Sequence, residues 1–296
     1  MKTIDADAEL LQKIDADSAI AGVTFEGLVR DYDEISQRFH AHFSIDAPAQ
    51  HANALFHKVR YCDLLSRAWN GRVLDVGDDK PFLSYFLRKF NPESAFFTIS
   101  NELPQTPFPL WQVDIEQEAF PFESDYFDEV IFTEVLEHLW RDPSFCLAEI
   151  NRVTKHSGKI LLTTPNPCDI HAIICVLWQA NPNQRGQFFS SLESGHLHLW
   201  TVADVRLLLE SHGYAVSEAA TQNLYGHTKH DTKIEAFIGE ISPHRALMNE
   251  TVVVTARKQA HAPAPAYPAQ IYPDGGPVLF SGAVVRFAQK KTAERG

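Results

Sequence analysis

The chain has 296 residues, 45% of them hydrophobic and 11% aromatic, which is enough to bury a sizeable core in one enlarged domain or in two. Its net charge of −12, from 38 acidic and 26 basic residues, argues against nucleic acid or anionic membrane as the main partner. The four cysteines (Cys62, Cys146, Cys168 and Cys175) have no CxxC spacing, and neither a leader-like apolar stretch at the N-terminus nor a bilayer-length apolar run is present, so the expectation is a soluble, cytoplasmic protein with reduced thiols.

Residues 1–46 are acidic, with ten acids and four bases. Leu10, Leu11, Ile14 and Ile20 fit one short amphipathic helix, and Phe25, Leu28, Tyr32, Ile35 and Phe39 fit a second. Such helices serve as a cap over a site, as packing against a sheet, or as a dimer contact. Residues 50–68 read as a helix with Leu55, Val59, Cys62, Leu65 and Ala68 on one stripe. Residues 72–77 (RVLDVG) are the first strand, and Pro81 opens a helix whose apolar face is Phe82, Leu83, Phe86, Leu87 and Phe90. Residues 95–99 and 109–114 are the second and third strands. The run Val130, Ile131 and Phe132 ends at polar Thr133 and Glu134, as a buried parallel strand does when it reaches a solvated edge. Asp142 and Pro143 give a helix start, Ser157-Gly158 its expected end, and residues 159–164 the next strand, together a strand–helix–strand crossover. Residues 168–195 form an insertion whose first part carries a helix-like apolar face of Ile170, Ile173, Ile174, Leu177 and Trp178. Thr201 and Asp204 make a capping box before Val205, Leu208 and Leu209. Residues 214–221 and 251–257 are the sixth and seventh strands. A Pro/Ala linker at 260–268 leads to a tail with hairpin-like runs around Ser281-Gly282, which reads as a small hairpin, an added strand or a swapped arm.

The phrases FDEVIFTEVLEHL (127–139), NRVTKHSGKILLTTPN (151–166) and GHLHLWT (195–201) resemble class I S-adenosylmethionine-dependent methyltransferases. The resemblance spans about residues 72–258 and is nearest to enzymes that methylate O or N atoms of small molecules, quinones and glycans among them. It implies an α/β fold: a Rossmann-like, doubly wound seven-stranded sheet, mostly parallel with the last strand antiparallel. The implied division is an N-terminal helical cap (1–46), the methyltransferase domain (47–258) with a lid insertion (168–195), and a C-terminal extension (259–296).

The implied cofactor is S-adenosylmethionine, and the resemblance points to its contacts. Asp75 and Gly77 match the family's glycine-rich loop, whose bare backbone admits the cofactor. Asp79 and Pro81 stand where glycines are expected. Asp79, near a helix N-terminus, either holds a cationic group of the cofactor or alters its binding. Thr98 takes the place of the acid that usually ends the second strand, with Glu102 as a substitute. Asp114, followed by Ile115, matches the position that reads the adenine amine, the other reading of its carboxylate being a helix N-cap. Thr133 and Glu134 lie past a strand's carboxyl end, where ligands bind. His138 is a candidate general base or a loop-fixing histidine, and His196 either faces the acceptor or bonds backbone in its turn. No sequence spacing characteristic of a metal pair accompanies them, so no metal is expected.

The expected function is methyl transfer to an O or N atom of a small-molecule or glycan acceptor in biosynthesis, with a second copy of the chain as a homodimeric partner. Two alternatives stay open. One is an enzyme of this fold that uses the sulfonium for other chemistry, and the other is a non-catalytic binding subunit.

Overall fold

The computed structural model describes residues 24–43, 54–77, 81–100, 110–180, 195–225, 232–242 and 244–262. Short apolar runs closed by polar residues become seven strands: β1 (Arg72–Val76), β2 (Ala95–Ser100), β3 (Leu110–Gln112), β4 (Phe127–Thr133), β5 (Thr154–Pro165), β6 (Tyr214–Gln222) and β7 (Thr251–Lys258). They form one sheet in the order β3-β2-β1-β4-β5-β7-β6. All neighbours are parallel except β7, which runs antiparallel between β5 and β6. The chain winds outward in one direction from β1 and in the other from β4, so the β1/β4 boundary is the topological switch point.

Alternation along the strands sends side chains to two cores. Leu74, Val130, Phe132, Ile160, Leu162 and Val254 face one side, which is covered by α4 (Pro143–Val153) and α6 (Val202–Ser211) through Cys146, Leu147, Ile150, Val205, Leu208 and Leu209. Val73, Ile131, Leu161 and Val253 face the other, covered by α1 (Phe25–Phe43), α2 (Lys58–Ser66) and α3 (Pro81–Phe90). Aromatic side chains knit this second layer. Phe82 lies 5.3 Å from both Tyr32 and Phe39, and Phe86 lies 4.8 Å from Phe82. Burying each such ring contributes about 1.5–3 kcal/mol. The second N-terminal helix is therefore α1, packed through Leu28, Tyr32 and Phe39 on the helices that cover the sheet. The first, with Leu10, Leu11, Ile14 and Ile20, lies outside the described residues, as do the linker beyond Ala262 and the tail.

Two helices carry the expected caps. Asp142 accepts from the Ser144 backbone N–H ahead of Pro143. Thr201 and Asp204 exchange both bonds of the capping box. Several boundaries differ from the sequence reading: β3 is shorter than the 109–114 read for it, β5 begins earlier than 159, and the helix read over 50–68 is regular only from Lys58 to Ser66. Helix α4 stops at Val153, not at Ser157-Gly158, and the Thr154 hydroxyl caps it by donating to the Ile150 carbonyl at 2.6 Å. Ser157 (φ +61°) and Gly158 lie inside β5, where the register with β4 shifts. A Cβ on Gly158 would meet the Thr154 side chain at 2.7 Å, so these residues are a bulge and not a helix stop. In α2 the buried face is Arg60, Tyr61, Cys62, Leu64 and Leu65, whereas Leu55 and Ala68 are exposed. Cys62 and Leu65 of the expected stripe are buried and Val59 packs beside them, so the stripe holds through the middle of the helix and fails only at its two ends. The helix-like face read at 170–178 is α5 (Ile170–Leu177), and one further helix, α7 (Thr232–Ile241), was not foreseen by periodicity.

At the end of the sheet remote from β1's exit, buried Lys258 donates to Asp125 and to the Asn151 and Thr154 carbonyls, at 2.7–2.8 Å. This pins the last residue of β7 to the α4–β5 junction. Lys258→Met keeps the stem and removes all three bonds, leaving two carbonyls without their donor. Urea unfolding should show a loss of about 2–3 kcal/mol; a loss below about 0.5 kcal/mol would mean that this clamp contributes nothing.

Candidate active site

The site is assembled where β1 and β4 leave the sheet. Gly77 follows β1 directly, and its N–H donates to the Ile99 carbonyl at 2.7 Å. Its φ of +85° is a left-handed conformation that glycine alone adopts freely. A Cβ there would meet Val135 Cγ2 at 2.6 Å. The chain thus turns here with its bare backbone against the β4 exit. Asp75 is buried two residues earlier, in register between Thr98 and Ile131. Asp79, the other acid expected at this loop, lies outside the described residues.

Thr133 ends β4, buried, 3.4 Å from the Arg60 guanidinium, which stacks over the Tyr61 ring. Glu134 then adopts φ +57°, uncommon for a residue with a side chain. Three bonds hold it there. Its N–H donates to the Thr163 carbonyl at 2.9 Å, and its carboxylate accepts from the Thr163 hydroxyl and the Tyr225 phenol, both at 2.7 Å. Burial and the adjacent Glu134 push the Tyr225 phenol well above its ordinary pKa, so it remains a donor.

A short 3₁₀ turn, Leu136–His138, comes next. Glu137 is fully buried. One carboxylate oxygen accepts from the Thr164 hydroxyl at 2.9 Å, and the other, Oε1, has no hydrogen-bond partner. Burial, and then Glu134, raise its carboxyl well above the usual range. His138 Nδ1 lies 3.2 Å from the Gly195 carbonyl, which can only accept, so Nδ1 carries the proton and Nε2 offers its lone pair. Nε2 stands 3.8 Å from Glu137 Oε1. His196 packs edge-on to His138 with ring centroids 5.0 Å apart. The Leu197 N–H donates to the Glu137 carbonyl at 2.8 Å, which ties the His196 loop to the turn. Burial lowers both imidazoles, His196 to about 4 with help from His138, so both are neutral at pH 7. One ligand atom from each of Glu137, His138 and His196 lies within 4.8 Å of the others. Spacing along the chain did not foresee this cluster, because its third member arrives from a loop after the insertion.

Asp114 lies two residues past the end of β3. Its carboxylate accepts from the Glu116 N–H at 3.0 Å and from the Gln117 amide, and its own N–H donates to Glu118 at 2.9 Å. No helix follows Asp114; residues 115–117 form a turn, and the carboxylate caps that turn, so an adenine amine would share it with Gln117. Ile115 is buried in the core, which leaves its backbone as the group to face a ligand. Arg60, Thr163 and Tyr225 escaped the sequence reading. Arg60 sits among apolar helix positions, and Tyr225 stands 91 residues from the acid that it holds.

A family profile described as a methyltransferase domain matches residues 53–219. Among solved structures, the fold is similar to a chain of the complex between the Haloferax volcanii Trm112 methyltransferase activator and a candidate methyltransferase, with TM-score 0.51 and 15% identity, over 80% of this chain and 100% of that one. It is also similar to a SAM-dependent methyltransferase from Archaeoglobus fulgidus, with TM-score 0.46 and 19% identity, over 67% and 90%. At these identities the likeness is one of fold. No curated protein sequence matches the chain.

The Gly77 turn generates a direct expectation. Gly77→Ala meets both the left-handed φ and the Val135 side chain, and should lower stability by about 1–3 kcal/mol. Adding Val135→Ala should recover only the steric part. Thermal unfolding of the single and double variants measures this; an unchanged melting temperature in Gly77→Ala would show that the turn tolerates a side chain.

Proposed function

Because the chain belongs to the class I S-adenosylmethionine-dependent methyltransferases, a family profile covering more than half its length, we propose that it transfers a methyl group to an O or N atom of a small-molecule or glycan acceptor. The observation that carries the reading is the β1/β4 switch point, past whose carboxyl edge ligands bind in sheets of this kind, with Gly77 making a left-handed turn packed on Val135 there. S-adenosylmethionine is the family's cofactor, and the carboxyl edge at this switch point is where such a ligand would bind. When bound, it supplies a methyl group already activated on a sulfonium.

The residues proposed to hold it are Asp75, Gly77, Asp79, Asp114, Ile115, Thr133 and Glu134. Gly77 supplies the left-handed turn at the β1 exit. Asp114 offers a carboxylate to the adenine amine and Ile115 its backbone. Glu134, with both oxygens occupied, fixes the wall of the crevice. The remaining demands on the protein are alignment, exclusion of water and, for a hydroxyl acceptor, a destination for its proton. His138, one turn beyond Glu134, and His196, on the loop tied to that turn, are neutral imidazoles, and we assign the acceptor's side of the site to them. The insertion that begins with α5 reads as the roof, since its Val176, Leu177 and Trp178 are exposed apolar groups suited to a ring-shaped or apolar acceptor.

Calorimetry with S-adenosylmethionine and S-adenosylhomocysteine tests the reading. The wild type should bind both, and Asp114→Ala should weaken binding by about ten- to a hundredfold while the chain stays folded, the loss of one hydrogen bond to a charged group. Mass spectrometry after incubation with pooled hydroxyl and amine acceptors should then detect a methylated product. A chain that binds neither ligand contradicts the proposal. Binding followed by cofactor turnover to products other than S-adenosylhomocysteine would favour non-methyl chemistry instead.

A further inference from the structure

Glu137 poses a problem that hydrogen bonding leaves unsolved. It is a fully buried acid with one oxygen bonded to Thr164 and the other to nothing. An orphaned buried carboxylate oxygen costs free energy unless something unseen satisfies it. That oxygen faces His138 Nε2 at 3.8 Å, and the His196 ring stands edge-on beside His138. We propose that Glu137, His138 and His196 form a binding site for one divalent transition-metal cation such as Mn²⁺, Fe²⁺, Co²⁺ or Zn²⁺.

Four features support the assignment. The donor set is two imidazoles and a carboxylate, which suits these ions better than the all-oxygen shells of Mg²⁺ and Ca²⁺. Ligand atoms within 4.8 Å of one another need to close only slightly, since donors about 2.1 Å from one ion stand about 3–3.5 Å apart. The outer contacts orient the ligands: the Gly195 carbonyl holds His138 Nδ1–H, so Nε2 points inward, and the Thr164 hydroxyl holds the far oxygen of Glu137. Finally, the Leu197 N–H bond to the Glu137 carbonyl fixes the loop that carries His196 against the turn that carries the other two. Three protein ligands leave coordination positions open, as in sites that act on a bound molecule. Resting on the methyl-transfer reading, the open positions would take an oxygen of the acceptor, and the histidines would then hold the cation rather than receive the proton. The existence of the site does not depend on that reading.

The test uses Co²⁺ on the full chain after chelator treatment and buffer exchange, read by visible absorption and calorimetry. The expected result is one Co²⁺ per chain with new visible bands. His196→Ala and Glu137→Gln should each weaken binding by roughly 100-fold or more, since even the loss of an orienting contact costs 10–100-fold. His198→Ala, next to the triad but outside it, should bind as the wild type does. Each variant is checked for a cooperative melt, and half-buried His196 carries the test if Glu137→Gln fails to fold. Absence of stoichiometric Co²⁺ binding, or binding that survives both substitutions, overturns the proposal. Co²⁺ binding in a chain that ignores S-adenosylmethionine would sink the methyl-transfer reading and leave the metal site standing.

Discussion

The constraint on which this site depends is the left-handed turn at Glu134. A residue with a side chain occupies that region only when its surroundings hold it there. Here one backbone bond to Thr163 and two carboxylate bonds, to Thr163 and Tyr225, do so. The consequences run in both directions along the chain. Upstream, the turn brings Val135 against Gly77, so the exits of β1 and β4 close on each other with no room for a side chain. Downstream, it starts the short helix that buries Glu137 and presents His138. Glu134 is thus better understood as the fastening of the crevice wall than as a free acid in the pocket.

The two faces of the sheet divide the remaining tasks. The α4/α6 side is largely aliphatic and makes an ordinary core. The α1–α3 side is aromatic, and it also carries polar groups where it meets the carboxyl edge: Arg60 stacks on Tyr61 there and reaches Thr133. A buried guanidinium beside a strand end is costly unless matched, so the placement of α2 and the chemistry of the edge are tied together. At the opposite edge, Lys258 and Asn151 join the end of α6, the end of β7 and the α4–β5 junction through main-chain carbonyls. Stability at one end of the sheet leaves the other end free to carry groups chosen for chemistry.

Much of this was legible in the sequence because it is local. Apolar runs marked the strands, Asp142-Pro143 and Thr201…Asp204 marked helix starts by the bonds that they form, and Gly77 marked the tight turn. Ser157-Gly158 misled, because a glycine that packs closely inside a bulge carries the same letters as one that ends a helix. The stripe in α2 held at Val59, Cys62 and Leu65 and failed at Leu55 and Ala68, which lie outside the helix. The parts that could not be read are those made by distant residues. Tyr225 meets Glu134, and His196 meets Glu137 and His138, only because the segments that carry residues 196 and 225 return to the edge of the sheet where β4 ends. Asp114 shows a third kind of ambiguity: one carboxylate can cap a turn and serve a ligand, and the residue type is the same for both.

Hydrogen–deuterium exchange with and without S-adenosylmethionine tests the central claim most directly, that the cofactor lies in the β1/β4 crevice shaped by the Glu134 turn. The account predicts added protection in peptides that cover residues 75–77 and 133–138, with the Lys258 end of the sheet unchanged. Ligand-dependent protection elsewhere with none at these two strand exits would contradict it.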